Sequence, residues 1–179
     1  MKKIPELIDS TTVAKTKVFT VEHLHLRFQN GTEVDFERIL SSSAGAVLIV
    51  PQLNPKTLVL IREFCAGTMR YEIAFPKGRV EQGESLLDSA NREIMEETGY
   101  GARSLEYIKS LSVSPGYMSH LTHIIYATDL YEQKLQGDEP EPIEVLHWAL
   151  DKLDELLNHE EFTEARSIAA LYLLKNRFT

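Results

Sequence analysis

With one cysteine, Cys65, the chain has no partner for an internal disulfide. It also lacks any apolar run near the roughly 20 residues that a membrane helix requires, and no N-terminal stretch resembles a secretion signal. These absences fit a protein of the reducing cytoplasm that neither spans nor inserts into a membrane. Positive charge is scarce as well: 19 Lys and Arg stand against 27 Asp and Glu, for a net charge of -8. No basic cluster offsets this, which excludes long nucleic acids as partners, because nonspecific binding to polyanions relies on Lys and Arg neutralising phosphates. Internal repeats and low-complexity tracts are missing too. What remains is 43% hydrophobic content over 179 residues, enough for one cored domain with a small appendage.

The most informative stretch is residues 78 to 100, GRVEQGESLLDSANREIMEETGY. Gly78, Glu84, Arg92, Glu93, Glu96, Glu97 and Gly99 stand at fixed intervals. At a usage of roughly 7% per residue type, seven in register arise by chance about once in 10^8 windows. From Ser85 to Thr98 there is no Gly or Pro, and Gly99 is placed to end a helix as a left-handed cap. At 100° per residue, Leu87, Ala90 and Ile94 share one stripe, which should pack. Arg92, Glu93, Glu96 and Glu97 lie around the other side, which should be free for chemistry.

Glu93 and Glu97 are i,i+4 neighbours and Glu96 lies one turn from Glu93. Like charges at this spacing repel by a few tenths of a kcal/mol per pair, and the C-terminal end of the helix dipole adds to the repulsion. A hard divalent cation that prefers carboxylate oxygens, Mg²⁺ or Mn²⁺, would relieve the crowding. Gly78 and Gly83 permit a tight loop before the helix, where Glu84 is within reach of Arg92.

This constellation resembles the signature of the Nudix hydrolases, without gaps; Tyr100, where an aliphatic residue is usual, is the one departure. The resemblance implies an α/β fold, an α/β/α sandwich with a loop-helix-loop catalytic motif, and hydrolysis of a nucleoside diphosphate linked to another moiety. It implies Glu93, Glu96, Glu97 and the Lys77 carbonyl as ligands for two to three Mg²⁺ or Mn²⁺ ions, with a Glu84–Arg92 bridge holding the loop. The flanking segments YEIAFPKG, SVSPGY and GDEPEP are similar to those of ADP-ribose and ADP-sugar pyrophosphatases. That narrower likeness implies hydrolysis of ADP-linked compounds to AMP and X-phosphate. Two other readings stay open: a Nudix hydrolase of a different nucleotide class, and a noncatalytic module that senses ADP-ribose.

Residues 1–43 read as a separate N-terminal β-hairpin region and 44–179 as the catalytic domain. From Val18 to Phe28, alternate residues Val18, Thr20, Leu24, Leu26 and Phe28 share a face; Asn30-Gly31 then suggests a two-residue primed turn before Val34 and Phe36. Ser41-Ser42-Ser43 marks a linker to a strand over Ala46–Val50. A lone hairpin is marginally stable and must dock on something. By resemblance to dimeric relatives it joins a homodimer interface and serves the adenosine end, with Phe19, Phe28 and Arg38 as stacking candidates.

Strands are expected over Thr57–Glu63, Tyr71–Phe75, Leu105–Val113, Thr122–Leu130 and Ile143–Ala149, and helices over Asp151–Leu157 and Thr163–Arg177. Ala165, Ile168, Ala169 and Tyr172 would give the last helix its apolar face. In Gly137-Asp138-Glu139-Pro140-Glu141-Pro142 two prolines favour an extended loop. By analogy with related pyrophosphatases a glutamate here activates water, Glu141 as first choice and Glu139 as second, with Glu96 in reserve. Arg62, Arg70, Lys77 and Arg79 flank the motif as diphosphate binders, Tyr117 is a candidate for the second half of the substrate, and Cys65 stands where some relatives carry a phosphate-contacting Arg. His120 and His123, at an odd spacing along a strand, face opposite ways and make no zinc pair.

Overall fold

The computed structural model describes residues 2–41, 44–137 and 139–178; Ser42 and Ser43 of the expected linker lie outside them, as does Asp138. The chain divides into two compact units, residues 1–45 with 112–121, and residues 46–111 with 122–179.

The first unit is a three-stranded antiparallel sheet in the order β1 (Glu6–Lys15), β2 (Thr20–Arg27), β3 (Glu33–Leu40). The expected hairpin is β2 with β3, and β1 is an addition to it. Every residue of β1 is exposed, and its register shifts at two places, so no alternation of polar and apolar residues marks it in the sequence. The β2–β3 loop is not a primed two-residue turn. Gly31 alone has positive φ (84°), its N–H donates to the Phe28 carbonyl at 2.9 Å, and the Phe28 N–H donates to the Thr32 carbonyl at 2.9 Å. This is a longer turn closed by a left-handed glycine, and Asn30 keeps an ordinary φ. Leu24 is buried, while Val18 at the head of the expected stripe is exposed. Within the same unit, a turn through Pro115-Gly116 runs beside β3: the Ile39 N–H donates to the Tyr117 carbonyl at 2.7 Å and the Ser119 N–H to the Ile39 carbonyl at 3.1 Å.

The second unit is built on a seven-stranded mixed sheet. β4 (Ala46–Asn54), β5 (Thr57–Cys65), β6 (Arg70–Ala74), β7 (Lys77–Arg79), β8 (Tyr100–Ser112), β9 (Leu121–Glu132) and β10 (Glu144–Ala149) give a main path β10-β5-β4-β9-β8. β6 pairs with β5 and β7 with β4. Helix α1 (Leu86–Thr98) follows β7, and α2 (Leu153–Leu157) and α3 (Ala165–Leu174) end the fold. AVLIVP in β4 is apolar without alternation because both of its faces are covered. Leu48 and Val50 join Leu58, Leu60, Ile73 and Phe75 in a core closed by Leu156, Phe162, Ala170, Leu171 and Leu174. On the opposite face α1 packs against β4 and β7. The expected apolar face of the last helix is rotated: Ser167, Ala170, Leu171 and Leu174 are buried, whereas Tyr172 is 53% exposed.

Candidate active site

Helix α1 begins where Ser85 caps it, its hydroxyl oxygen accepting from the Asp88 N–H at 3.1 Å, and ends at Gly99 with φ 78°. Both bounds follow from the local sequence. The division of its faces does not. Ala90 and Ile94 are fully buried, but Leu87 is 38% exposed, and Glu93 and Glu97 are themselves buried at 8% and 7% exposure. The side expected to be open is covered by β7, whose backbone comes close enough that a Cβ at Gly78 would lie 2.0 Å from the Glu93 carboxyl carbon. Only glycine leaves room for that carboxylate.

Arg92 organises the turn. Its Nε and Nη2 donate to the two carboxylate oxygens of Glu84 at 2.9 and 3.0 Å, so the expected bridge forms, and Nη2 also donates to the Arg79 carbonyl at 3.0 Å. The remaining nitrogen, Nη1, donates to Glu93 at 2.8 Å and to Glu96 at 2.9 Å. One guanidinium thus ties the loop to two of the three crowded acids. Arg92 and a Ser89 hydroxyl bond hold the Glu84 carboxyl down at about 2, so the bridge stays ionised. Burial acts the other way on the helix acids. It raises Glu93 despite Arg92, and it pushes Glu97 up to about 8 against the Lys77 charge and the Lys77 N–H, which donates to Glu97 at 2.9 Å.

Glu93, Glu96 and Glu97 line a cavity of about 790 Å³ together with Lys77, Gly78, Arg79 and Arg92. Its far wall is the loop after β9, from which Gln136, Gly137 and Glu139 contribute. The donor set is all oxygen and rich in negative charge, and two of the acids are held where their charged forms are poorly solvated. That donor chemistry suits a hard divalent cation, but with Arg92 bonded to Glu93 and Glu96 no three acidic, histidine or cysteine side chains among the described residues converge closely enough to hold one as they stand.

The family described as NUDIX domain matches residues 43–172. This chain belongs to the Nudix family. A second match, to the NudE-type Nudix hydrolase N-terminal domain, covers residues 5–38. The ADP compounds hydrolase NudE of Escherichia coli strain K12 is 43% identical over 96% of this chain and 91% of its own length. The ADP-ribose pyrophosphatase of Bacillus subtilis strain 168 is 27% identical over 94% of both. A crystal structure of an ADP compounds hydrolase superposes with a TM-score of 0.92 at 41% identity, covering 99% of this chain and 95% of that one. The chain is therefore a Nudix pyrophosphohydrolase, and Nudix hydrolases work with a divalent metal ion.

Outside the Nudix motif the two loop glutamates stay close together. Both line a cavity of about 260 Å³ with Glu96 and Glu97 and a neighbouring one of about 360 Å³, but Glu139 alone also lines the large acidic cavity, and the Glu141 carboxylate accepts from the Tyr71 hydroxyl at 2.6 Å. Of the flanking cations, Arg79 and Lys77 line the acidic cavity, with the Lys77 ammonium also paired to Glu63. Arg62 lines the neighbouring cavity and is engaged by Glu144 and Glu161 at 3.0 and 2.8 Å. Arg70 is held by Glu72 and Thr163. Cys65 ends β5, where burial raises its thiol pKa. His123 sits in β9 with its Nδ1 2.7 Å from the Ser110 hydroxyl.

In the first unit Arg38 and Tyr117 come together, with Phe36, around a cavity of about 380 Å³. Arg38 also pairs with Glu22 at 2.9 Å. Phe28 packs on Phe36 with ring centroids 6.4 Å apart, and Phe19 is 52% exposed. Sequence reasoning passed over Tyr71, Phe36 and Glu63. Tyr71 and Phe36 were visible as aromatics on strands, but nothing in their spacing tied them to a site.

Proposed function

We propose that this Nudix enzyme hydrolyses the pyrophosphate bond of ADP-linked compounds, such as ADP-ribose, NADH and diadenosine compounds, to AMP and X-phosphate. The observation that carries the reading is the acid-lined cavity on α1, together with a relative acting on ADP compounds that matches nearly the whole chain. Glu93, Glu96, Glu97 and the Lys77 carbonyl would hold two to three Mg²⁺ or Mn²⁺ ions. When bound, these lower the pKa of a coordinated water and neutralise charge on the departing phosphate. Arg92 and Glu84 keep the loop in register with the helix, and Arg79, free to reach into the cavity, binds the diphosphate. Glu139, on the opposite wall, takes the proton from the attacking water. Arg38, Tyr117 and Phe36 receive the adenosine end by stacking, with Phe28 behind them.

Turnover of ADP-ribose, NADH, diadenosine compounds and nucleoside triphosphates in ¹⁸O-water tests the assignment. AMP and X-phosphate should dominate, with triphosphates poor substrates. Faster release of pyrophosphate from triphosphates would assign a different nucleotide class, and tight ADP-ribose binding with no turnover would assign the sensing module.

The exposed Leu7, Ile8 and Val13 on β1 and Phe19, Val34 and Phe36 nearby support assembly of a homodimer through the N-terminal sheet. Light scattering of the full chain should give twice the mass of 20.4 kDa. Removing residues 1–42 should lower the assembly mass and weaken adenosine affinity; a full-length monomer would sink the dimer. The single cysteine supports a cytoplasmic site of action, and among the described residues no helix is long and apolar enough to cross a membrane.

A further inference from the structure

The loop that carries Glu139 is anchored at its root by two backbone bonds, from the Gln133 N–H to the Gly99 carbonyl at 2.9 Å and from the Leu135 N–H to the Met95 carbonyl at 3.1 Å. At its other end it enters β10 at Glu144. Among the described residues from Gln136 to Pro142, one further hydrogen bond is found, the 2.6 Å bond from the Tyr71 hydroxyl to Glu141. Tyr71 is not itself on a loop. It lies in β6, paired in register with Phe64 of β5, and the two rings meet edge to face at 5.7 Å. The hydroxyl is therefore presented from the central sheet.

Between this anchor and the catalytic cavity lies a stiff segment. Proline fixes φ at residues 140 and 142 and restricts Glu139 and Glu141 before them, so Glu139-Pro140-Glu141-Pro142 has few conformations. Holding Glu141 holds Glu139 as well. Glu139 lines both the acidic cavity and the smaller one that Tyr71 and Phe64 help to form, which places it on the wall between them.

We infer that Tyr71 is a positioning residue for the hydrolytic reaction: its hydrogen bond to Glu141 fastens the proline-stiffened loop to the sheet and so aims Glu139 into the acidic cavity. The inference rests on Glu139 being the base. Tyr71 touches neither substrate nor metal in this role, so its loss lowers kcat and leaves KM in place. A misplacement on the scale of 1 Å costs about 10^2-fold in rate, and loss of one of several restraints on the loop should cost between about 10-fold and that limit.

The test compares Tyr71→Phe, Glu139→Gln and the double variant at saturating Mg²⁺ and ADP-ribose, with hydrogen exchange of the loop as a second readout. Tyr71→Phe removes only a hydroxyl from a half-exposed ring, so folding is retained. The expected result is a 10- to 100-fold lower kcat at unchanged KM, faster exchange at Gly137, Glu139 and Glu141, and no additional loss when the substitution is made in Glu139→Gln. Wild-type kcat in Tyr71→Phe with a collapsed Glu139→Gln overturns the latch and spares the base. An equal loss from Tyr71→Phe in both backgrounds shows that Tyr71 acts other than through Glu139. Wild-type kcat in Glu139→Gln removes the base assignment, and the inference with it.

Discussion

Glu97→Gln should abolish hydrolysis and, in EDTA, leave a folded protein that melts at a higher temperature than the wild type. Glu97 lies at the floor of the catalytic cavity, 7% exposed, with a backbone N–H as its hydrogen-bond donor. In the proposed role of Glu97 as a metal ligand, its loss removes several kcal/mol of transition-state stabilisation, which amounts to a fall in kcat of about 10^3-fold or more. Glu93→Gln should do the same to activity. Their stabilities should differ, because Arg92 compensates the Glu93 charge at 2.8 Å and no side chain among the described residues makes that contact with Glu97.

The stability effect has a sign and a pH window. Burial raises the Glu97 carboxyl from 4.5 to about 8, so the folded state binds this proton more tightly than the unfolded chain does. Stability from this group is fully present below pH 4.5 and is lost as pH rises through about 8. Calorimetry in EDTA should therefore show the variant and the wild type converging near pH 4.5. The gap should widen to a plateau above pH 8, on the order of a few kcal/mol. Equal melting temperatures at pH 9, or full activity in the variant, would refute the placement of Glu97.

Glu139→Gln should lower kcat by about 10^2- to 10^4-fold, the usual contribution of a positioned base, with KM and metal affinity nearly unchanged. Glu141→Gln should do less, since an amide oxygen can still accept from Tyr71. The sequence alone ranks these two glutamates the other way. Steady-state kinetics of both single variants and the double variant decide between them. If all three keep wild-type kcat, the loop is a solvated acidic turn and Glu96 becomes the base.

What could be read from the sequence was whatever local chemistry settles. Helix α1 has bounds set by Ser85 and Gly99, and the Glu84–Arg92 bridge follows from spacing along one helix and its preceding loop. What could not be read depends on packing between distant segments. Glu97 is buried because β7 and the loop after β9 cover α1, which no helical wheel contains. The face of α3 was misjudged because Ser167, a polar residue, is buried where its hydroxyl donates to Glu164 and accepts from the Phe75 N–H. Strand β1 carried no alternation because every one of its residues is exposed. The Glu141 carboxylate is engaged by Tyr71, seventy residues away, a contact that no local spacing contains.

Strand β4 has a bearing on how this enzyme reaches its working form. Over Ala46–Leu48 it pairs with β7, the strand that opens the catalytic loop, on one edge, and over Ala46–Pro51 with the parallel strand β9 on the other. The parallel pairing joins segments far apart in the chain, so its loop-closure entropy must be met before the contacts reward it. Helix α1 is local and capped, and can form early. The cavity needs more than that helix, because its far wall follows β9 and is in place only when β4 and β9 are paired.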